Sequence, residues 1–475
     1  MILLFALSTS ALATEYVIPP GDPWCDVLNA AAPGDTVILQ SGDHAGPCAI
    51  TNGGTEGAPV TVRGGDPAAP PQIVYAGANS NILDIVADYV TIAGLALGPS
   101  RPDIDGIKIK EGSYAVIEDN RFTGIGGISV SANSADSVGI TIRHNRFTDL
   151  EGTALYLGCH DGAGSCAATD LLVEGNLIDG VSSSDVGYGI EVKKDSWGRV
   201  ADNVIVDTQG PGIEMFGSED AAAASTVDGN LVVGSRNNGS IEVGGPYVTV
   251  TNNIVVGGGD GGICVYAYWD SVHDVIVAGN TLVGDSAAAV RVASETTASR
   301  LVDNLAWQTN GSSPFPGPMG GLTAAGNITC TSAAACWVDE AAWDFWPVDG
   351  SAATTSRVTE VTLDHDFCGR SRADPPTVGA IEWTTLGGPG PLAVDFKSTF
   401  GCPEDETTTD TGPTDTNPTD TSTPGDDSGP ADTSPDDDSA AGTKDGAARG
   451  CTTTAGPGAV AAGLIAMLLI ARRRV

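Results

Sequence analysis

The sequence predicts an all-β solenoid of stacked parallel strands, and three observations carry that prediction. A short apolar stretch runs into an Asn eight times, at Asn120, Asn145, Asn176, Asn203, Asn230, Asn253, Asn280 and Asn304, with neighbouring copies 23 to 31 residues apart. The segments between them are short, β-branched and rich in Gly (63 residues), with no helical periodicity. Aromatic residues make up only 5% of the chain, which suits a narrow, turn-dense coil.

Each repeat has a local reason. The residue before the Asn is Asp119, His144, Gly175, Asp202, Gly229, Asn252, Gly279 or Asp303. All are types that tolerate a left-handed backbone, so each marks a sharp bend at a strand end. The Asn amide is expected to pair with the backbone at that bend and with its copies on adjacent coils, about 4.8 Å away. Apolar residues such as Phe122 and Ile205 follow and point into the coil. These asparagines are read as scaffold. Near the N-terminus, Trp24, Val27, Leu28 and Ala31 have helical spacing within residues 23–32, as expected of a short helix capping the open end of a strand stack. Strands are expected at residues 59–63, 82–85 and 89–92.

The two ends of the chain read differently from the repeat. Residues 1–13 join an apolar run to Ala11-Leu12-Ala13, the pattern of a secretory signal peptide, although no basic residues precede the run. Residues 14–402 form the predicted solenoid domain. Residues 403–450 are Thr, Asp, Pro, Ser and Gly, with 13 acids against two bases, and read as a disordered, self-repelling stalk. Residues 451–475 hold Cys451, an apolar run too short for a free-standing membrane helix, and Arg472-Arg473-Arg474. Eight of the ten cysteines fall in pairs close in sequence: Cys25 with Cys48, Cys159 with Cys166, Cys330 with Cys336, and Cys368 with Cys402. None has metal-binding C-x-x-C spacing, so disulfides of an exported protein are expected. Cys264 and Cys451 stand outside this scheme. The formal charge of −38 argues against nucleic acid as a partner and favours calcium or a saline medium.

Two resemblances sharpen this reading. The stalk, Gly450-Cys451, the short hydrophobic helix and the terminal arginines resemble the C-terminal sorting signals of myxobacterial surface proteins. That resemblance implies that Cys451 is the processing and anchoring position for a sorting protease, and that the protein is held at the surface or outer membrane of a bacterium. A plain membrane anchor is the alternative. The stretches Ala32-Pro33-Gly34-Asp35-Thr36-Val37 and Tyr89-Val90-Thr91-Ile92-Ala93-Gly94-Leu95 resemble right-handed parallel β-helix proteins of the pectate-lyase-like superfamily. Asp344-Phe345-Trp346-Pro347, Asp366-Phe367-Cys368-Gly369-Arg370 and Val378-Gly379-Ala380-Ile381-Glu382 resemble its terminal coil. The likeness spans about residues 16–400. It is specific for a right-handed parallel β-helix and weak for activity, because that superfamily holds lyases, hydrolases, epimerases and binding proteins.

The repeat also serves as a ruler. About eleven residues after most asparagines comes a strand of the form Ile-x-Val-x, whose x positions face outward. The first outward column reads Lys108, Ser129, Tyr156, Glu191, Glu214, Glu242, Cys264 and Arg291. The second reads Lys110, Ser131, Gly158, Lys193, Phe216, Gly244, Tyr266 and Ala293. Three stacked glutamates one strand apart repel by roughly 3 kcal/mol per neighbouring pair at an effective dielectric near 20. A raised pKa, a cation or a nearby base must offset that.

Three readings of this column stand open. Glu191, Glu214 and Glu242 could bind Ca²⁺, with Lys193 as base or electrostatic stabiliser, an arrangement resembling many lyases of the superfamily. Two of the carboxylates could be the acid and the base or nucleophile of a glycosidase. The catalytic candidates are Lys193, Glu214 and Glu191. The column could also be a solvated acidic ridge. The lyase pattern is departed from at Phe216, which stands where an outward Arg is expected, and Arg291 lies three coils beyond Glu214. Tyr156, Tyr188, Phe216, Tyr266, Tyr268 and Trp269 are candidates for stacking on sugar rings, with Arg291 a further substrate contact. The loop carrying Cys159, His160, Asp161 and Cys166 inserts beside them.

The five histidines have no metal-ligand spacing, and neither a phosphate-binding loop, a dinucleotide fingerprint nor a Gly-x-Ser-x-Gly elbow is present. Asn310-Gly311-Ser312 and Asn327-Ile328-Thr329 match glycosylation acceptors. The sequence thus predicts a monomeric surface protein that engages polysaccharide. Calcium-assisted lyase, glycoside hydrolase and non-catalytic glycan-binding adhesin remain as alternatives.

Overall fold

A computed structural model describes residues 13–159, 166–183, 187–284, 288–315, 321–355, 361–385 and 387–403. The chain winds as a right-handed parallel β-helix with three long sheets. Each coil passes through the third sheet, then the first, then the second, as in Ile107–Ile109, Val116–Glu118 and Arg121–Thr123. The first sheet has 13 strands, from Glu15–Ile18 to Leu322–Ala325; the second has 12, from Asp43–Ala45 to Ile328–Thr329. The third has 10, from Cys48–Ile50 to Val290–Val292. Inward residues stack in register, as in the buried run Leu155, Ile190, Ile213, Ile241, Ile263 and Val290. Burying each such side chain stabilises by roughly 1.5–3 kcal/mol before entropy is set against it.

The asparagines form a ladder at the bend between the first and second sheets. Asn203 Nδ2 donates to Val173 O at 3.0 Å and to Asn230 Oδ1 at 2.9 Å, while Asn203 Oδ1 accepts from the backbone and side-chain amides of Asn176. The same pattern runs from Asn120 to Asn327. The predicted left-handed residues have φ of +55° to +66° at Asp119, His144, Gly175, Asp202, Gly229, Asn252, Gly279 and Asp303. Asn327 is a ninth rung, and its Nδ2 donates to Leu301 O at 2.6 Å. Its amide is engaged in the scaffold, which removes the reason to read Asn327-Ile328-Thr329 as a glycosylation acceptor.

The predicted cap is a helix at Trp24–Asn29. Trp24 and Leu28 are buried over the end of the stack, Trp24 Nε1 donates to Ala45 O at 2.9 Å, and Cys25–Cys48 ties the helix down. All four expected disulfides are present: Cys25–Cys48, Cys159–Cys166, Cys330–Cys336 and Cys368–Cys402. The expected signal peptide (all but Ala13), His160, Asp161, the stalk beyond Pro403 and the Cys451 segment lie outside the described residues.

Two expectations need correction. On one coil of the third sheet Ser131, not Ser129, lies between Lys108 and Tyr156. Val130 pairs in register with the inward Ile107 and Leu155, so the strand is set two residues later than the Ile128-x-Val130 spacing suggested. The segments expected to form a terminal coil do something else. Trp337, Phe345, Trp346, Phe367 and Ile381 pack against Leu177, Val204, Leu231, Ile254 and Leu305 on the outer face of the second sheet. This cover runs back down the solenoid. Lys397 Nζ reaches Asp202 Oδ1 at 2.5 Å and Gly229 O at 2.6 Å, and Arg146 meets Asp395 at 3.0 Å. The reason is compositional: those coils carry apolar residues on both faces of the second sheet, and the outer row needs a lid.

Candidate functional site

The outward column of the third sheet runs Asp84, Lys108, Ser131, Tyr156, Glu191, Glu214, Glu242, Cys264 and Arg291. The three glutamates are therefore in-register neighbours on consecutive strands, as the repeat spacing predicted. Their environment is not the expected one. Glu191, Glu214 and Glu242 are only 1%, 2% and 1% exposed, so the column is no solvated ridge. Tyr266, 3% exposed, reaches Glu214 through its hydroxyl, and the ring of Phe216, 4% exposed, lies against Lys193. These two rings were expected to offer open faces to sugar; they are instead part of a roof.

Each charge in the layer has an assigned partner. Lys193 Nζ donates to Glu191 Oε1 at 2.6 Å and sits 5.1 Å from the centre of the Tyr156 ring and 4.5 Å from that of Phe216. An ammonium between two ring faces gains cation–π attraction where water is excluded. The Tyr266 hydroxyl donates to Glu214 Oε1, and the Gly239 N–H donates to Glu242 Oε1 at 2.8 Å. The second oxygen of Glu191 is buried without a hydrogen-bond partner.

Burial sets the protonation of this layer. It pushes Glu191 up despite the opposing charge of Lys193. It lifts Glu214 well above the carboxylate range, with the charge of Glu242 next in effect. It raises Glu242 to about 7, against the pull of the Gly239 N–H and Tyr266. Tyr188, half-buried beside all three glutamates, and Tyr266 are pushed up by the same desolvation and by the carboxylate charges. Burial thus favours the protonated form of each of the three carboxyls.

That arrangement does not fit calcium. One oxygen of each carboxylate is engaged, with an ammonium, a phenol and a backbone amide in turn. Among the described residues, no group of three or more His, Cys, Asp or Glu side chains is placed to hold a metal ion. Calcium takes six to eight oxygens in an open, hydrated shell, which a sealed layer does not offer.

The remaining candidates separate into two groups. Tyr268 and Trp269 are 36% and 39% exposed and stand edge-on to one another, with ring centres 4.6 Å apart. Tyr268 also meets Phe216 and Tyr266 edge-on, which joins this surface platform to the roof below. Arg291 is not brought to the glutamates. It neighbours Cys264, and its charge acts on Asp260, whose carboxyl is raised chiefly by burial. Asp260 lies in a bend one coil on and had no sequence signal, and the Gly239 amide, three residues before Glu242 on the same strand, is a backbone group that no residue type announces.

The family model for the right handed beta helix region matches residues 100–255 and 173–315. Among solved structures, the chain is similar to the PL6 family alginate lyase AlyGC at 16% identity and a TM-score of 0.46, covering 66% of this chain and 51% of that one. It thus spans about half the length of that lyase. The Azotobacter vinelandii mannuronan C-5 epimerase AlgE4 A-module matches at 13% identity and a TM-score of 0.48, covering 64% and 89% of the two chains. The catalytic unit of a GH87 α-1,3-glucanase from Streptomyces thermodiastaticus matches at 16% and 0.45, covering 69% and 72%. No curated protein sequence matches the chain. These likenesses leave the chemistry to the residues themselves: by fold the chain is a right-handed parallel β-helix, and its candidate site is the roofed glutamate layer outside the third sheet.

Proposed function

We propose that this is an exported, surface-displayed protein that engages polysaccharide along the outer face of the third sheet. The observation that carries the reading is an exposed aromatic pair, Tyr268 and Trp269, set edge-on against the buried layer of Glu191, Lys193, Glu214, Glu242, Phe216 and Tyr266. Aromatic rings held firmly at a surface bind the apolar faces of sugars at low entropic cost. A parallel sheet of ten strands offers a linear polymer an extended track. Surface display rests on the N-terminal apolar run and the Cys451 tail.

Cleavage of the bound chain is the second reading, favoured by one observation. Glu214 and Glu242 lie one strand apart, burial raises both carboxyls, Glu242 to about 7, and the Tyr266 hydroxyl donates to Glu214. Such a pair is poised to protonate a glycosidic oxygen or to take a proton beside a uronate carboxylate. It requires the roof to open, since both carboxylates and Lys193 are sealed. That sealing ranks binding ahead of cleavage.

The test incubates the full chain with acidic and neutral polysaccharides and follows retention, new reducing ends and unsaturated uronate ends. Retention without product, lost on Trp269→Ala, supports binding. Product formation abolished by Glu214→Gln supports cleavage. Neither retention nor product with any polysaccharide overturns both.

A further inference from the structure

A second aromatic feature lies on a different face. Two residues before each outward position of the first sheet, the chain turns a corner, and the corner residues form a column: Tyr89, Tyr114, Gly139, Asp170, Trp197, Ala224 and Tyr247. Tyr89, Tyr114, Asp170 and Tyr247 have φ of +52° to +55°, a conformation that costs a bulky side chain free energy. Tyrosines held there invite a functional explanation.

The column is interrupted where it matters. Tyr89 and Tyr114 stack with ring centres 4.6 Å apart, but the next two corners are Gly139 and Asp170. The Tyr114 ring leans over Gly139, where a Cβ would come within 2.6 Å of it. The missing rings leave a cavity of about 520 Å³, lined by Tyr114 at one end, by Trp197 along its length and by Thr141, Leu172, Arg199 and Thr226 as its floor. Those four floor residues are in register on consecutive strands, so the trough runs about 14 Å along the solenoid axis. Its volume is that of an ordinary small-ligand site.

The charges select among ligands. Arg199 lies 3.6 Å from Glu174, 3.9 Å from Asp202 and 3.7 Å from Asp228, so its guanidinium is already surrounded by carboxylates. Asp170 is exposed at the rim, and the whole chain carries −38. An anionic sugar would meet repulsion, whereas a neutral one would find two aromatic faces, an Arg donor and an Asp acceptor.

We propose that this trough is a carbohydrate subsite, separate from the third-sheet face, that takes a short neutral oligosaccharide stacked on Trp197 and Tyr114 and hydrogen-bonded by Arg199 and Asp170. The site does not depend on the platform at Tyr268 and Trp269. Its test is therefore run on the full chain already carrying Trp269→Ala, titrated calorimetrically with gluco-oligosaccharides and with oligogalacturonates. The gluco-oligosaccharides are expected to bind, and Trp197→Ala is expected to weaken that binding by about tenfold or more. Tyr114→Ala, which truncates a ring 42% exposed, is expected to weaken it as well and decides the matter if Trp197→Ala fails to fold. The proposal is overturned by absence of gluco-oligosaccharide binding, by binding that these substitutions leave unchanged, or by tighter binding of the oligogalacturonates.

Discussion

Glu214 and Glu242 oppose one another on neighbouring strands of the third sheet, both almost fully enclosed, with the Tyr266 hydroxyl donating to Glu214. Two like charges cannot both persist there, so the native chain holds at least one proton that an unfolded chain would release at neutral pH.

Stability should therefore fall on the alkaline side. Below about pH 4.5 both carboxyls are protonated whether the chain is folded or not, and nothing is lost. As pH rises toward 7, the unfolded chain releases protons that the folded chain retains, and stability declines until Glu242 titrates. With Glu242 raised from 4.5 to about 7, the loss from this group is about 3 kcal/mol. At the acid end the sign reverses for Asp228. Burial raises it, but hydrogen bonds from His365, Thr251 and Asn252 outweigh that and hold it at about 2. Its contribution is present above its ordinary pKa of 3.8 and lost as pH falls toward 2. Melting temperature followed across pH should peak in mild acid, and Glu242→Gln should flatten the fall between pH 5 and 8 (roughly the span of the Glu242 shift). An unchanged alkaline limb in that variant would contradict this account.

Lys193→Met should cost about 3 kcal/mol, because it leaves Glu191 buried without its ammonium partner 2.6 Å away. Adding Glu191→Gln should recover most of that loss. The midpoints of urea unfolding for the two single variants and the double variant measure the coupling. A loss below about 1 kcal/mol in Lys193→Met would show that the pair contributes little.

In the Asn ladder, position should matter more than residue type. Asn203→Ala strips partners from Val173 O and from the Asn176 backbone amide, all buried, and should cost about 2–4 kcal/mol. Asn327→Ala, at the half-buried end of the ladder, should cost distinctly less. Thermal or urea unfolding of the two variants side by side distinguishes them.

Calcium should leave the melting temperature unchanged, and so should a chelator. The carboxylates that would ligate the ion are committed to Lys193, Tyr266 and Gly239. A rise of several degrees on adding calcium, abolished in Glu214→Gln, would restore the metal reading.

Much of this was legible in the sequence because it is periodic. The Asn rungs, their left-handed neighbours and the alignment of Glu191, Glu214 and Glu242 all follow from one repeat length. Ser129 and Ser131 show the limit: on a coil with apolar residues at Ile128, Val130 and Ala132, alternation fits two registers, and pairing with Ile107 selects one. Burial of the glutamates was not legible, because Phe216 and Tyr266 reach them from the second outward column. Nor was the lid on the second sheet. Leu177, Val204, Leu231 and Ile254, each directly after a rung Asn, hinted at a covered outer face, but only the return of the chain to Lys397 and Asp202 shows what covers it.

The platform at Tyr268 and Trp269 is proposed to hold a polysaccharide chain. Affinity electrophoresis of the full chain through gels containing a panel of acidic and neutral polysaccharides tests it most directly. At least one polysaccharide is expected to retard the native protein, with Trp269→Ala relieving most of that retardation at an unchanged melting temperature. Migration of native protein unaffected by every polysaccharide, or retardation that Trp269→Ala leaves intact, would contradict it.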